Sequence, residues 1–205
     1  MSISWGAGLH AAVGRRVDVS AYGHYLGRWS RLFVPALLAA AEMRTGDRVL
    51  DVATGPGEAA LLALSAVGDS GLVVGADISS AMLEAACARL SGGPFRAVAT
   101  DGQALAFPDA SFEAVLCQLG PMFFPDPVRG LAEFRRVLRP GRCAAVCVIS
   151  SPDRNHLIPS PCPSPCGRGD LVALAPPGGS PLPQGEGQGE GIRWTADHRL
   201  CGKAA

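Results

Sequence analysis

The chain has 205 residues and a mass of 21.1 kDa, which fits one domain of ordinary size or one domain with a tail. With 48% hydrophobic and 18% charged residues, it can bury a sizeable core. Eighteen basic residues balance eighteen acidic ones, so no broad field attracts nucleic acid or an anionic membrane. The composition therefore argues against a bulk nucleic-acid-binding protein.

The sequence shows no targeting segment and no membrane span. Residues 1–15 lack the apolar stretch of a signal peptide. The longest apolar runs, Phe33–Ala41 and Ala144–Ile149, are far shorter than the roughly 20 residues that a bilayer requires. The seven cysteines form no C-x-x-C pair, and four lie in apolar segments, as reduced core thiols do: Cys87, Cys117, Cys143 and Cys147. We therefore expect a cytoplasmic protein.

The predicted elements alternate between strand and helix, which is typical of a parallel sheet covered on both faces. In chain order they are a helix over Ser30–Glu42, a strand over Arg48–Ala53, a helix over Glu58–Val67, a strand over Leu72–Ile78, a helix from Ser79 or Ser80 to Gly92, strands over Phe95–Thr100 and Ala114–Leu119, a helix from Asp126 to about Leu138, and a strand over Arg142–Ile149. The fold class is therefore predicted as α/β, with a Rossmann-like, doubly wound and mostly parallel sheet.

Composition changes near residue 151. The first 150 residues hold 8 of the 17 prolines and 17 of the 26 glycines, whereas the last 55 hold 9 of each. The density of both in Pro159–Gly191 opposes helix and sheet. We predict an N-terminal helical cap region over residues 1–45, a core over residues 46–155, and a largely disordered Pro/Gly-rich tail over residues 156–205.

The tail has Ser/Pro triplets at one end and Gly/Arg/Glu triplets at the other. Such a pair of ends is what an inverted DNA repeat would encode, so we hypothesise that a repeat replaced the original C-terminus; a natural flexible tail is the alternative. Only Leu171–Ala175 and Ile192–Thr195 could form short strands there, and neither has a hairpin or helix to support it.

The main chemical signal is a glycine-containing loop, Asp51-Val-Ala-Thr-Gly55-Pro-Gly57-Glu, between the first predicted strand and a helix. Glycines let the backbone approach a ligand, and the helix N-terminus offers free N–H groups. The spacing Gly55-x-Gly57-x-x-Ala60 also fits a dinucleotide fingerprint, with Asp77 twenty residues beyond Gly57. A tight turn without any ligand is compatible with the same residues.

Acidic residues accompany three successive predicted strands. Asp51 would repel a pyrophosphate but suits the ammonium group of an aminoacyl-bearing nucleoside. Asp77 can accept from both hydroxyls of a ribose, and Asp101, before Gly102, can accept from an exocyclic adenine amine. Each acid alone could be a helix cap or a turn residue. Together they line the crevice in which open α/β sheets bind ligands.

Residues 20–150 resemble a class I S-adenosylmethionine-dependent methyltransferase of the small-molecule, menaquinone/ubiquinone-methyltransferase-like group. The order and spacing of five stretches carry the resemblance: Tyr25-Leu-Gly-Arg28-Trp29-Ser30, Val49-Leu-Asp51-Val-Ala-Thr-Gly55-Pro-Gly57, Ala76-Asp77-Ile78-Ser79, Asp101-Gly-Gln-Ala-Leu-Ala-Phe107-Pro-Asp-Ala-Ser-Phe112 and Phe134-Arg-Arg-Val-Leu-Arg-Pro140-Gly141.

The resemblance implies S-adenosylmethionine as the cofactor and a small-molecule methyl acceptor with an O, N or C nucleophile. It implies that Asp51 orients the methionine moiety, that Asp77 holds the ribose diol, and that Asp101 binds the adenine amine. The other implied cofactor-binding residues are Ala53, Gly55 and Gly57 through their backbone beside the methionine part, Ile78 and Met82 at the adenine, Gly102 beside Asp101, and Gln118 near the reactive methyl group.

Two interpretations apply to residues of the N-terminal part. The resemblance implies that Tyr25 and Arg28 close over the cofactor, and hydrophobic anchoring of the first helix explains Tyr25 and Trp29 equally well. No catalytic residue can be named. His10 and His24 are candidate bases or ordinary surface histidines.

The family continues after its fifth strand with a helix and an antiparallel strand pair, whereas here the tail follows. The last strands are therefore expected to be missing or replaced, which would leave the outer strand edge unpaired. Two alternatives to an active methyltransferase stay open: a truncated, catalytically defective remnant that binds only the cofactor, and a dinucleotide-dependent oxidoreductase. We expect no metal; a zinc site is disfavoured by the wide spacing of its candidate ligands, His156, Cys162, Cys166, His198 and Cys201.

Overall fold

The computed structural model describes residues 27–149 and 171–174, with the backbone alone at Arg28, Trp29 and 171–174. The elements are α1 (Arg28–Ala40), β1 (Arg48–Val52), α2 (Glu58–Val67), β2 (Leu72–Asp77), α3 (Ser80–Arg89), β3 (Phe95–Ala99), β4 (Phe112–Gln118), a 3₁₀ helix (Gly120–Phe123), α4 (Pro127–Val137), β5 (Leu138–Cys147) and β6 (Leu171–Leu174). Other sequence predictions lie outside the described residues: those for Tyr25, His10, His24, the five zinc candidates and Ile192–Thr195.

The six strands form one sheet in the order β3-β2-β1-β4-β5-β6. The first five strands in this order are parallel, and β6 is antiparallel to β5. The predicted Rossmann-like, mostly parallel sheet is thereby confirmed. The strand order reverses between β1 and β4, which opens a crevice at the carboxyl ends of these two strands.

Alternating side chains of the central strands contribute to two apolar layers, one on each face of the sheet. In β1, Val49 packs with Val34 of α1 and Ala63 of α2 on one face of the sheet. Leu50 packs on the other face with Phe112 and Phe134, the two largest fully buried side chains among the described residues. A strand that is buried on both faces needs helices on both sides, and its carboxyl end is consequently the part that can face a ligand.

The sheet differs from the sequence prediction at its β5 side. β5 begins at Leu138 rather than Arg142, because Leu138 leaves the helix directly into extended backbone (φ −75°, ψ 138°). Pro140 and Gly141 lie in an irregularity of the β4–β5 register and do not separate helix from strand. The expectation of an unpaired β5 edge was wrong for four residues, since Leu171–Leu174 pairs antiparallel with it.

Within the described part of the chain, no helix combines the length and apolar character needed to cross a bilayer.

Candidate functional site

The loop after β1 is built on unusual backbone conformations. Ala53, Gly55 and Gly57 have φ values of 56°, 54° and 83°. A Cβ atom on Gly57 would lie 2.9 Å from Leu90 Cδ1, which the leucine side chain can relieve by shifting, so it is the left-handed φ of 83° that favours glycine there. Ala53 bears the strain of a left-handed conformation, which structures retain mostly at functional sites. The loop therefore turns sharply over the end of β1 and leads into the N-terminus of α2.

Asp51 lies beneath this loop and is 1% exposed. Its Oδ2 accepts a hydrogen bond of 2.7 Å from the Thr54 hydroxyl. Burial raises the pKa of Asp51 to about 7, because the hydrogen bonds from Thr54 and from the backbone of Ala60 do not fully offset the loss of hydration. A buried carboxylate without a cation among its described partners suits a positively charged ligand group.

Asp77, the last residue of β2, connects two loops. Its Oδ2 accepts from the Gly55 N–H and its Oδ1 from the Ser79 N–H, both at 2.9 Å. Burial raises its pKa too, and these backbone hydrogen bonds act in the opposite direction. Asp77 thus joins the glycine loop to the N-terminus of α3, where Ser79 is the capping residue.

The residues next to Asp77 have different surroundings. Ile78 is 44% exposed, although it is a large apolar side chain. Met82 is 7% exposed and lies in the first turn of α3, where its N–H donates to the Ser79 hydroxyl. Of the two predicted adenine contacts, Ile78 therefore offers a free apolar face and Met82 belongs mainly to the core.

Asp101 follows β3, and its Oδ1 accepts from the backbone N–H and the side-chain amide of Gln103. Gly102 packs tightly: a Cβ atom there would lie 2.4 Å from the Phe124 ring and 3.0 Å from Val52 Cγ1. The contact with Val52 places the Asp101-Gly102 turn beside the end of β1. All three predicted acids therefore gather at the carboxyl ends of β1, β2 and β3.

Gln118 ends β4, and its amide donates to the backbone oxygen of Ser30 in α1. Both residues line a small cavity that also contacts Asp51, Ala53 and Glu58. Gln118 therefore lies beside Asp51 and the loop after β1. The structure also brings the beginning of α1 over the cavity.

Glu58 is a residue of this site that sequence reasoning missed. Its carboxylate is 9% exposed and pairs with Arg31 of α1 and Arg89 of α3, each at 2.6 Å. Burial alone would raise the pKa of Glu58, but the hydrogen bonds from Arg31 and Arg89 outweigh it and hold the pKa below its ordinary value. Both arginines are about thirty residues away in sequence, so no local pattern indicated the pairing.

The fold and the site define a Rossmann-like domain that suits a nucleoside bearing an ammonium group. Two acids and a curled glycine loop converge at β1 and β2, and a third acid stands at β3. A pyrophosphate-containing dinucleotide would meet the buried Asp51 at this loop, which is electrostatically unfavourable.

Comparisons with known proteins find similarity to methyltransferases. Residues 49–141 match the family model described as a methyltransferase domain. The ubiquinone/menaquinone biosynthesis C-methyltransferase UbiE of Xanthomonas campestris is 39% identical over 126 residues, which are 60% of this chain and 48% of that protein. The demethylmenaquinone methyltransferase of Symbiobacterium thermophilum is 36% identical over 118 residues, 56% of this chain and 45% of that protein.

A solved structure extends the likeness to three dimensions. The S-adenosylmethionine-dependent methyltransferase from Mesorhizobium loti superposes with a TM-score of 0.52 at 25% identity, covering 58% of this chain and 56% of that one. Over residues 49–141 the chain is therefore similar in sequence to methyltransferases, and its described part resembles the S-adenosylmethionine-dependent methyltransferases in fold. The oxidoreductase alternative gains no support from these matches. The chain spans about half the length of the curated relatives it matches.

Proposed function

We propose that this chain binds S-adenosylmethionine in the crevice and transfers its methyl group to a small-molecule acceptor. The observation that carries the proposal is the convergence of Asp51, Asp77 and Asp101 at three adjacent strand ends, with Asp77 hydrogen-bonded to the glycine loop. Nucleoside ligands of open α/β sheets bind at this edge.

The donor set suits the chemical groups of the cofactor. Asp51, buried and without a described cation partner, would take the ammonium group of the methionine part. Asp77 would accept from the ribose hydroxyls, and Asp101 from the 6-amino group of adenine. The exposed face of Ile78 would pack on the base, which is what apolar surface next to a ribose-binding acid favours.

The backbone of the loop and the end of β4 complete the proposed site. Ala53, Gly55 and Gly57 would carry the main chain past the methionine part, and the Gly102 backbone would lie beside the base. Gln118, held by the Ser30 backbone, would stand near the reactive methyl group. Met82 would support Ile78 from the core side.

For methyl transfer, the protein must mainly align the acceptor with the methyl group of the cofactor. The cofactor supplies a methyl group already activated by a sulfonium, and the acceptor must be held in line with it and away from water. In this chain the α1 helix, fastened through Gln118 and Glu58, would cover the methionine end and exclude water there. Names of the relatives refer to ubiquinone and menaquinone biosynthesis, so a quinol-type ring carbon is the first acceptor to test.

The free cysteines support a proposal for the compartment. Cys117, Cys143 and Cys147 are free and buried, whereas Cys87, also expected to be a core thiol, is free but exposed; the free thiols support a reducing, cytoplasmic location.

Calorimetric titration of the purified chain with S-adenosylhomocysteine tests the cofactor site, with Asp77→Ala as the control. We expect saturable binding that the substitution weakens by at least about tenfold, as the loss of charged hydrogen bonds predicts. Transfer of a labelled methyl group to a demethylquinol then separates an enzyme from a chain that only binds the cofactor. A folded chain that binds no S-adenosylhomocysteine would refute the proposal.

A further inference from the structure

Gln103 is a buried polar side chain that the proposed binding site does not use directly. The residue is 5% exposed and lies two positions after Asp101. Its side-chain oxygen accepts a hydrogen bond of 2.8 Å from the Asp126 N–H. Its side-chain nitrogen donates to Asp101 Oδ1 at 3.2 Å, and its backbone N–H donates to the same oxygen at 2.8 Å.

The orientation of this amide has only one consistent solution. A backbone N–H can only donate, so the Asp126 N–H must face the amide oxygen of Gln103. The NH₂ group then points to Asp101, where a carboxylate can accept it. Because an unpaired polar group at this depth costs about 1–3 kcal/mol, the pairing resists rotation of the amide.

The partner on the other side is itself anchored. Asp126 is the N-cap residue of α4, and its carboxylate accepts from the Arg129 N–H at 3.1 Å. The backbone between Asp101 and Gln103 is held as well, since Gly102 packs against the Phe124 ring. The amide therefore connects Asp101 to the beginning of a helix rather than to a free loop.

Both hydrogen bonds from Gln103 end on Oδ1 of Asp101. In the part of the chain that the structure describes, no group donates to Oδ2, so this oxygen is the one left for a ligand. A carboxylate with one oxygen fixed by two donors presents the other in a defined direction. The direction of Oδ2 determines whether a hydrogen-bond donor of the ligand can reach it.

We propose that Gln103 is a positioning residue that fixes the Asp101 carboxylate and thereby selects a 6-amino purine over a 6-oxo purine. The inference rests on the proposed function, in which Asp101 faces the adenine amine. A 6-oxo purine presents an oxygen where adenine presents an N–H donor, so two acceptors would oppose each other. Loss of the Gln103 amide would leave only the Gln103 backbone N–H on Oδ1, so the Asp101 side chain could turn away from the base and the discrimination would relax.

The test compares dissociation constants of S-adenosylhomocysteine and S-inosylhomocysteine by calorimetry. The wild-type chain is expected to favour the adenine ligand by about tenfold or more, the range for a hydrogen bond to a charged group. Gln103→Met removes both side-chain hydrogen bonds at similar size. Gln103→Glu keeps the oxygen that faces the Asp126 N–H but replaces the NH₂ that faces Asp101. Both variants are expected to reduce the preference at least about threefold.

Glu133→Ala is the matched control. Glu133 holds the same segment, because its Oε2 accepts from the Leu105 N–H at 2.8 Å, but its hydrogen bonds within the described residues are to Leu105 and Arg136 and not to Asp101. This variant should loosen the segment and leave the base preference unchanged. Equal weakening for both ligands in the Gln103 variants, or the same relaxed preference in Glu133→Ala, would overturn the inference. Failure of the wild type to bind either ligand would instead overturn the proposed function on which it rests.

Discussion

Arg31 of α1 donates two hydrogen bonds to Glu58, at 2.6 and 3.0 Å, and so fastens the first described helix to the first residue of α2. Arg89 approaches the same carboxylate from α3 and also donates to the Pro56 oxygen at 3.4 Å. One carboxylate thus joins three helices directly after the glycine loop. The shape of the proposed cofactor site depends on this junction, because the cavity is lined by Glu58 and by Ser30 of α1.

Replacing Glu58 should destabilise the protein, because its buried carboxylate is shared by two arginines. Glu58→Gln leaves two guanidinium groups without their shared anion, and we expect the free energy of unfolding in urea to fall by about 1–2 kcal/mol. The value is set below that of a fully buried pair because the Arg31 side chain is 58% exposed. Asp109→Asn is the control: its side chain is 78% exposed and pairs with Arg136, so its effect should stay below about 0.5 kcal/mol. Equal effects of the two substitutions would show that the Glu58 junction is an ordinary surface contact.

The exposed side chain of Ile78 should contribute to binding and not to folding. Ile78→Ala removes apolar surface that is 44% exposed in the described structure, so the melting temperature without ligand should hardly change. If the adenine packs there, affinity for S-adenosylhomocysteine should fall by about fivefold, corresponding to roughly 1 kcal/mol of lost apolar burial. Leu62→Ala is a matched control, since Leu62 on α2 is 38% exposed and has no proposed role in binding. An unchanged affinity of the Ile78 variant would show that the base does not pack on this residue.

The raised pKa of Asp51 should appear in the pH dependence of stability. Its pKa is about 7 in the folded chain because of burial, whereas an unfolded chain has the ordinary value near 4. Between these values the folded state holds a proton that the unfolded state releases, so stability falls as pH rises and levels off above pH 7. From pH 5 to pH 8 the contribution amounts to roughly 2–3 kcal/mol.

Denaturant unfolding of the wild type and of Asp51→Asn at both pH values isolates this contribution. The substitution removes the titration, so the loss of stability between pH 5 and pH 8 should be smaller in the variant, whatever constant cost the amide adds. Asp77, whose pKa burial also raises, remains in both proteins and contributes to both losses. Identical pH profiles would mean that Asp51 titrates near its ordinary value and is better hydrated than its 1% exposure implies.

The local sequence was sufficient to predict which acids lie at the strand ends. It was insufficient to predict the side-chain contacts between distant elements. Asp51, Asp77 and Asp101 each follow or end an apolar run, so strand periodicity alone placed them at one edge of a parallel sheet. The junction at Glu58 and the hydrogen bond between the Gln103 amide and Asp126 depend on partners more than twenty residues away, which only the packing of helices on the sheet determines. Pro140 and Gly141 predicted a break because both oppose regular structure, but β5 accommodates them as a register irregularity.

The turn after β3 offers a further test, because Gly102 is enclosed by side chains. Gly102→Ala would place a methyl group 2.4 Å from the Phe124 ring and 3.0 Å from Val52 Cγ1, and overpacking of this kind costs about 1–3 kcal/mol. Since Gly102 adjoins Asp101, the shift should also weaken S-adenosylhomocysteine binding. Gly93→Ala is the control, because its new methyl group would meet Leu64 Cδ1 at an ordinary 3.6 Å; its stability should change little or rise slightly. Thermal melts and calorimetry of the two variants test whether the packing of Gly102 holds Asp101 in place. If Gly102→Ala has the same melting temperature and the same affinity for S-adenosylhomocysteine as Gly93→Ala, then the Phe124 ring can shift at little cost and the turn does not fix Asp101.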